Sequence, residues 1–130
     1  RVEAAARAPR VEKSSAERLK LLADALEARR TGGVGLTALS TLLIYVKNAA
    51  TKEDEKFRSI NKGNKAFVKR VGHLRPAAAF LRLAGFDDVA ASDAFPQGRF
   101  VLRAGVERAA LDEAIAILTE SKRVATASAT

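Results

Sequence analysis

The chain has 130 residues with a net charge of +8; 48% of the residues are hydrophobic, one is histidine and none is cysteine. This length suits a single domain with a core of its own, and no apolar run approaches the roughly 20 residues of a membrane span. The lack of cysteine excludes a disulfide scaffold, a thiolate zinc site and a cysteine nucleophile, and the single histidine excludes a multi-histidine metal site.

The positive charge is concentrated in the middle of the chain. Residues 31–46 carry no charge, whereas residues 47–75 carry nine cations and three acids, a net +6. Such a segment attracts an anionic partner, which is a nucleic acid, a membrane surface or an acidic peptide.

The N-terminal part predicts a flexible lead-in and a first helix. Residues 1–13 are rich in Ala and Arg, and because the chain begins with Arg rather than Met we expect it to be a fragment of a longer protein. Ser14 and Glu17 fit a capping box, so a helix is predicted from Ser14. It should end near Arg30, because the glycines that follow favour a helix terminus.

The middle of the chain predicts three further helical segments. Leucines and valines at helical spacing make about 36–49 a helix, and its lack of charge predicts that this helix forms the centre of the core. Phe57 and Ile60 are spaced for a short helix. A longer one is predicted over about 63–72, where two apolar residues lie four apart.

The last third of the chain predicts two helices and a β-hairpin. The Arg75–Pro76 pair suits a first helical turn, and the helix that it opens should stop at Gly85. Residues 94–103 contain Pro-Gln-Gly before Phe-Val-Leu, which predicts a short antiparallel element near 88–103. The final helix is predicted over about 106–120, with apolar residues along one face.

The predicted fold is α/β in the α+β sense: a bundle of five to six helices with a small antiparallel sheet or hairpin near residues 88–103. We expect one domain over residues 14–122. The small, polar residues 123–130 predict a flexible tail.

No residue set indicates catalysis, a metal or a cofactor. His73 stands alone, and Glu53, Asp54 and Glu55 lie between lysines in what we expect to be a solvated turn. No serine or aspartate has the context of a catalytic triad. No residue set therefore asks for an enzyme, and the residues alone leave an enzyme open as an alternative.

Three asparagines alternate with cations around one aromatic residue in the basic segment. Asn48, Asn61 and Asn64 can bond an extended peptide backbone in both directions, and Phe57 can supply an apolar wall. This composition favours peptide docking. The alternative is that Asn48 and Asn64 cap helices and that Phe57 belongs to the core. The cations of residues 47–75 are also compatible with nucleic-acid binding, although the chain has no Trp and few aromatic residues for base stacking.

The sequence resembles a PUB domain over about residues 15–120. The resemblance rests on Asn48, on Glu-Lys-Phe-Arg-Ser-Ile at 55–60, on Gly-Asn-Lys-Ala-Phe at 63–67 and on Leu-Arg-Leu-Ala-Gly-Phe at 81–86. PUB domains occur in cytosolic peptide:N-glycanases and in some UBX-domain and ubiquitin-ligase proteins. The resemblance implies a helical bundle with a small antiparallel sheet that binds proteins and does not catalyse, although the full-length parent could be an enzyme such as a peptide:N-glycanase.

The resemblance also implies a ligand. Many PUB domains bind the acidic C-terminal tail of the AAA ATPase valosin-containing protein, which ends in a Leu-Tyr-Gly-like sequence, and so act in the ubiquitin–proteasome pathway and in ER-associated degradation, in the cytoplasm and also the nucleus. Other ubiquitin-pathway proteins are further partners that it implies. By motif position the implied peptide site consists of Asn48, Lys56, Phe57, Asn61, Lys62, Asn64, Gly85 and Phe86.

The chain departs from the family pattern at three places. Phe57 stands where relatives usually have Tyr, so a hydroxyl is missing. Asn61 stands where relatives often have Arg. The turn after Asn48 has no Pro and is one residue shorter. These departures bear on the choice of ligand more than on the fold, and a domain that keeps the fold without the peptide site is a further alternative.

Overall fold

Five α-helices and three short β-strands make up the part of the chain that our computed structural model describes, which is residues 15–29, 33–52 and 55–128. The predicted lead-in over residues 1–13 and the predicted helix cap at Ser14 lie outside these residues.

The elements follow one another with short connections. The helices are α1 (Ser15–Glu27), α2 (Val34–Thr51), α3 (Lys65–Phe67), α4 (Arg75–Ala84) and α5 (Arg108–Ser128). A 3-10 turn (Glu55–Arg58) precedes the first strand, and α3 continues into a turn of π-helix (Val68–Gly72). The strands are β1 (Ser59–Asn61), β2 (Phe86–Val89) and β3 (Arg99–Leu102).

Helix α2 lies at the centre of the core, as its uncharged sequence predicts. Leu39, Leu42 and Val46 are fully buried, and α2 packs against both α1 and α5. Its first turn approaches the end of α1 so closely that a Cβ atom at Gly35 would lie 1.9 Å from the carbonyl oxygen of Leu26. Only glycine fits there, and the contact fixes α2 against the bundle.

The sheet is antiparallel, in the order β1-β3-β2. Ile60 lies opposite Phe100, which in turn pairs with Asp88, and Ile60, Phe100 and Phe86 are buried. Because side chains alternate along a strand, the neighbours of Phe100 in β3 point away from the core. The sheet therefore has one face on the helices and an outer face that carries polar and charged residues.

The predicted α+β class is confirmed, and so is the antiparallel pairing of the last two strands. Helix α4 begins at Arg75 and ends at Ala84, as predicted. The predicted helix over Phe57 and Ile60 is wrong at its second half, because the 3-10 turn ends at Arg58 and Ile60 belongs to β1. Pairing with β3, which is distant in sequence, decides the conformation of this β-branched residue.

The predicted end of the last helix is also wrong. Helix α5 starts at Arg108 and continues to Ser128, eight residues beyond Glu120, so residues 123–128 of the predicted tail are helical. Ser121 and Ala125 are 3% and 7% exposed, which continues the buried stripe that begins further up the helix. This stripe and the high helix propensity of alanine account for the extension.

The described helices include none that is long and apolar enough to cross a membrane.

Candidate functional site

Phe57 forms an apolar wall framed by two lysines. Its half-buried ring has the Lys52 Nζ atom 5.9 Å and the Lys56 Nζ atom 5.2 Å from its centroid. Lys52 caps the C-terminus of α2, and the 3-10 turn packs against that helix. The negative face of an aromatic ring attracts such cations. The aromatic residue is thus held beside the end of α2 in a positive setting, and it is not part of the closed core.

Asn48 lies in the last turn of α2 with a side-chain amide that forms no hydrogen bond to any described residue. The residue is half-buried, and its main-chain carbonyl accepts a hydrogen bond from the Lys52 amide at 2.9 Å. The cap of this helix is Lys52, so the alternative that Asn48 is a cap is wrong. A partly buried amide with both a donor and an acceptor unused suits recognition of a peptide backbone.

The other two asparagines organise the turn between β1 and α3. The Asn61 Oδ1 atom accepts a hydrogen bond from the Gly63 amide at 2.9 Å, and the Asn64 Oδ1 atom accepts one from the Phe67 amide at 3.2 Å. Asn64 is therefore the N-cap of α3, as the alternative interpretation predicted. Both side chains are exposed, and both use only their oxygen in the turn. Their amide N–H groups are left for a partner.

Lys62 serves a different contact from the one that the motif implies. It forms an ion pair with Asp88 in β2, and its Nζ atom lies 5.1 Å from the centroid of the Phe100 ring. Arg82 approaches the same carboxylate at 3.8 Å. Because Asp88 already offsets the charge of Lys62, this lysine ties the β1–α3 turn to the sheet and is a weaker candidate for binding an anion.

Gly85 and Phe86 lie beneath the surface. Gly85 ends α4 with a φ of +129°, and a Cβ atom there would lie 2.9 Å from the Cγ2 atom of Val106. Phe86 is fully buried in the core. Any contribution of these two residues to binding is therefore indirect, through the placement of β2 and of the loop before α5.

A groove of about 570 Å³ lies on the outer face of the sheet. The groove brings together two of the residues that the motif implies, Lys56 and Asn61. The others that shape it include Arg58, Arg99, Phe95 and Val101. The Arg99 guanidinium carbon lies 4.6 Å from the centroid of the Phe95 ring, so the two side chains stack.

Sequence reasoning did not select Arg58, Arg99 or Phe95. Arg58 stands inside the motif, next to two residues that were selected. Arg99 could have been found from the alternation Arg-Phe-Val, which places it on the face opposite Phe100. That signal acquires meaning only once β1 is known to pair with β3.

Tyr45 is a further residue that sequence reasoning missed. It lies one turn before Asn48, and its ring centroid is 6.3 Å from that of Phe67. Burial raises the pKa of the Tyr45 hydroxyl above its ordinary value, and the positive charge of Arg70 opposes this in part. The hydroxyl therefore stays protonated and available as a hydrogen-bond donor near neutral pH.

The described residues contain no group of three His, Asp or Glu side chains that could hold a metal ion. His73 is exposed, with its Nδ1 atom 3.3 Å from the Val68 carbonyl oxygen. Amide groups, cations and a half-buried aromatic ring of these kinds are suited to holding another chain.

These features define a protein-interaction domain of α+β fold. The family model of the PUB domain matches residues 34–119, and the chain belongs to the PUB domain family. It is therefore a protein–protein interaction domain, and this domain is not a catalytic one. Comparison with curated proteins and with solved structures gave no match.

Proposed function

We propose that this domain is an adaptor that binds the acidic C-terminal tail of the AAA ATPase valosin-containing protein, with its Leu-Tyr-Gly-like end. In this function it links the ATPase to ubiquitin-dependent and ER-associated degradation, in the cytoplasm and also the nucleus. The observation that carries the proposal is the half-buried amide of Asn48, which bonds no described residue and lies on the helix whose end packs against the Phe57 turn. Membership of the PUB domain family supports it.

The site offers a separate contact for each part of such a tail. The aromatic ring of the ligand packs by Phe57 and along the aliphatic stem of Lys56. The amides of Asn48 and Asn64 bond the ligand backbone. The missing hydroxyl at Phe57 removes one polar contact, and the flanking lysines keep the wall attractive to an electron-rich ring.

The charge of the domain suits an acidic ligand. Among the nine cations of residues 47–75, all but Lys62 are exposed. Such a field raises mainly the association rate, while the anchor contacts set the affinity. A short peptide in a shallow site of this kind should bind with micromolar strength, about −8 kcal/mol.

Fluorescence anisotropy at physiological ionic strength tests the proposal with three labelled probes. The first is an acidic peptide ending in Leu-Tyr-Gly, the second has Tyr replaced by Ala, and the third is a DNA duplex of random sequence. Saturable binding of the first probe alone is the expected result. Equal binding of the first two probes would contradict an aromatic anchor.

The duplex probe separates the second candidate function. The exposed cations of residues 47–75 are the observation that favours nucleic-acid binding. If they serve that purpose, the duplex binds and its affinity falls steeply as salt is raised, because counterions are released from the phosphates. Binding of the duplex alone would replace the peptide proposal.

A further inference from the structure

Arg99 on the outer face of the sheet and Arg58 in the turn before β1 have no carboxylate partner among the described residues. Arg99 lies directly opposite Asn61 in the β1–β3 register, and Arg58 immediately precedes β1. Two other arginines nearby are neutralised: Arg103 by Asp87 at 3.0 Å and Arg108 by Asp112 at 2.9 Å. The charges of Arg58 and Arg99 are therefore available to an external anion.

These arginines line two adjoining grooves. The groove of about 570 Å³ that contains both of them meets a second groove of about 320 Å³, and the two share Arg58, Leu102 and Ala104. The second groove continues past Ala49, at the end of α2, to the start of α5. We call the two together the arginine trough. Aliphatic and cationic side chains line it together, which suits an extended chain that carries acidic residues.

Lys56 connects the arginine trough with the proposed peptide site. Lys56 lines the trough and also has its ammonium group over the Phe57 ring. We infer that the trough receives the acidic residues that precede the aromatic anchor of the ligand, and this inference rests on the proposed function. Arg58 and Arg99 bind the carboxylates of these residues. The domain then recognises an acidic segment of the ligand as well as the C-terminal end of the ligand.

The side chains suit carboxylates in geometry as well as charge. A guanidinium group offers a planar fork that bonds a carboxylate through two parallel N–H groups. Stacking on Phe95 holds the guanidinium of Arg99 in place, so less conformational entropy is lost on binding. The same stacking covers a face of Phe95, the aromatic ring of the trough, and this disfavours the base stacking that a single-stranded nucleic acid would need.

Two peptides with the same Leu-Tyr-Gly end distinguish the trough from the anchor. One carries aspartates before the anchor, and the other carries asparagines at those positions. At low salt we expect the wild-type domain to bind the acidic peptide about tenfold or more tightly than the asparagine peptide. The reason is that one charge-assisted hydrogen bond changes the affinity by about a factor of ten or more. In Arg58→Gln and Arg99→Gln the preference should fall below about threefold, with binding of the asparagine peptide unchanged.

Arg18→Gln is the matched control, since it removes the same charge from the exposed surface of α1, away from the trough. It should keep the preference for the acidic peptide, and a loss of preference in this variant equal to that in Arg58→Gln would overturn the inference in favour of net charge alone. Circular dichroism establishes folding of each variant. Should Arg99→Gln unfold, Arg58→Gln tests the trough, because its residue is exposed and precedes the strand.

The outcomes separate the two proposals. Equal binding of both peptides by the wild-type domain would overturn the trough and leave the anchor standing. Binding of neither peptide would overturn the proposed function and the inference with it. Binding of a single-stranded oligonucleotide that weakens in both arginine variants, without a preference between the peptides, would assign the trough to nucleic acid instead.

Discussion

Asn64 has two separable tasks, and its replacement tests both. Its side-chain oxygen accepts the Phe67 amide at 3.2 Å, which caps α3 and fixes the residue that brings a buried ring into the core. Its amide N–H groups are proposed to bond the backbone of the ligand. In Asn64→Ala both are lost, whereas in Asn64→Ser an oxygen that can cap the helix remains and the amide group is lost.

The expected stability loss follows from the cap. Replacing an N-cap residue by Ala costs about 0.5–2 kcal/mol, and for an exposed cap with a long bond we expect about 1 kcal/mol in Asn64→Ala. In a domain of this size that lowers the Tm by about 4 °C. Asn64→Ser should unfold within about 1 °C of the wild-type domain, because Ser is as good a cap as Asn.

Thermal unfolding and peptide anisotropy, measured on the same samples, give the answer. Both variants should bind the acidic Leu-Tyr-Gly peptide about tenfold more weakly, since a hydrogen bond at the binding surface is lost in each. If Asn64→Ser restored affinity along with stability, the residue would act only as a cap. If a folded Asn64→Ala variant kept full affinity, the ligand would use another surface.

Three further predictions concern the frame of the site and its ligand. Gly85→Ala places a Cβ atom 2.9 Å from Val106 at a φ of +129° and should lower the free energy of unfolding by about 2 kcal/mol or more. Gly105→Ala has a φ of +87° with open space around it and should lower the free energy of unfolding by only about 1 kcal/mol. Equal losses in urea denaturation would contradict the steric argument. Ser121→Ala removes a buried hydroxyl that has no hydrogen-bond partner among the described residues, and it should raise the free energy of unfolding by about 1 kcal/mol. A loss of stability would show that the hydroxyl does form a bond. Phosphorylation of the ligand tyrosine should weaken binding in the anisotropy assay, because the dianion would lose hydration where the ring packs against Phe57; tighter binding of the phosphopeptide would contradict this apolar anchor contact.

Local signals predicted most of the helical frame. The absence of charge along α2 identified the central helix, and the Arg75–Pro76 pair and Gly85 identified both ends of α4. These predictions hold because each depends on residues within one element. The end of α5 was missed because small residues such as Ser121 and Ala125 are also typical of a flexible tail. Only their burial against the bundle shows that the buried stripe of α5 continues.

The sheet and the arginine trough depend on contacts that are remote in sequence. Local spacing predicts that Ile60 belongs to a short helix. In the structure it pairs with Phe100, 40 positions further along, and lies in a strand. The same pairing brings Arg99 beside Asn61. The motif around Phe57 could therefore predict one side of the site. The other side comes from β3, and the sequence does not reveal that β3 pairs with β1.

The structure also changes how the motif residues are understood. The half-buried amide of Asn48 bonds no described residue, whereas Lys62 is neutralised by Asp88 and Phe86 is buried in the core. Eight residues that share a motif thus divide into those placed to touch a ligand and those that hold the surface in shape. Substitutions in the first group should change affinity at constant Tm, and those in the second should change both. Asn64 belongs to both groups, because it also caps α3.

The most direct test of the peptide site is a nuclear magnetic resonance titration of the isotope-labelled chain with the acidic Leu-Tyr-Gly peptide. We expect saturable shifts of the side-chain amide signals of Asn48 and Asn64 and of the main-chain amides of residues 56–58, with α1 unaffected. The signals of Arg99 should shift with the acidic peptide and not with its asparagine counterpart. Shifts confined to residues of α1 and α4, or an unchanged spectrum at millimolar peptide, would contradict the proposed peptide site.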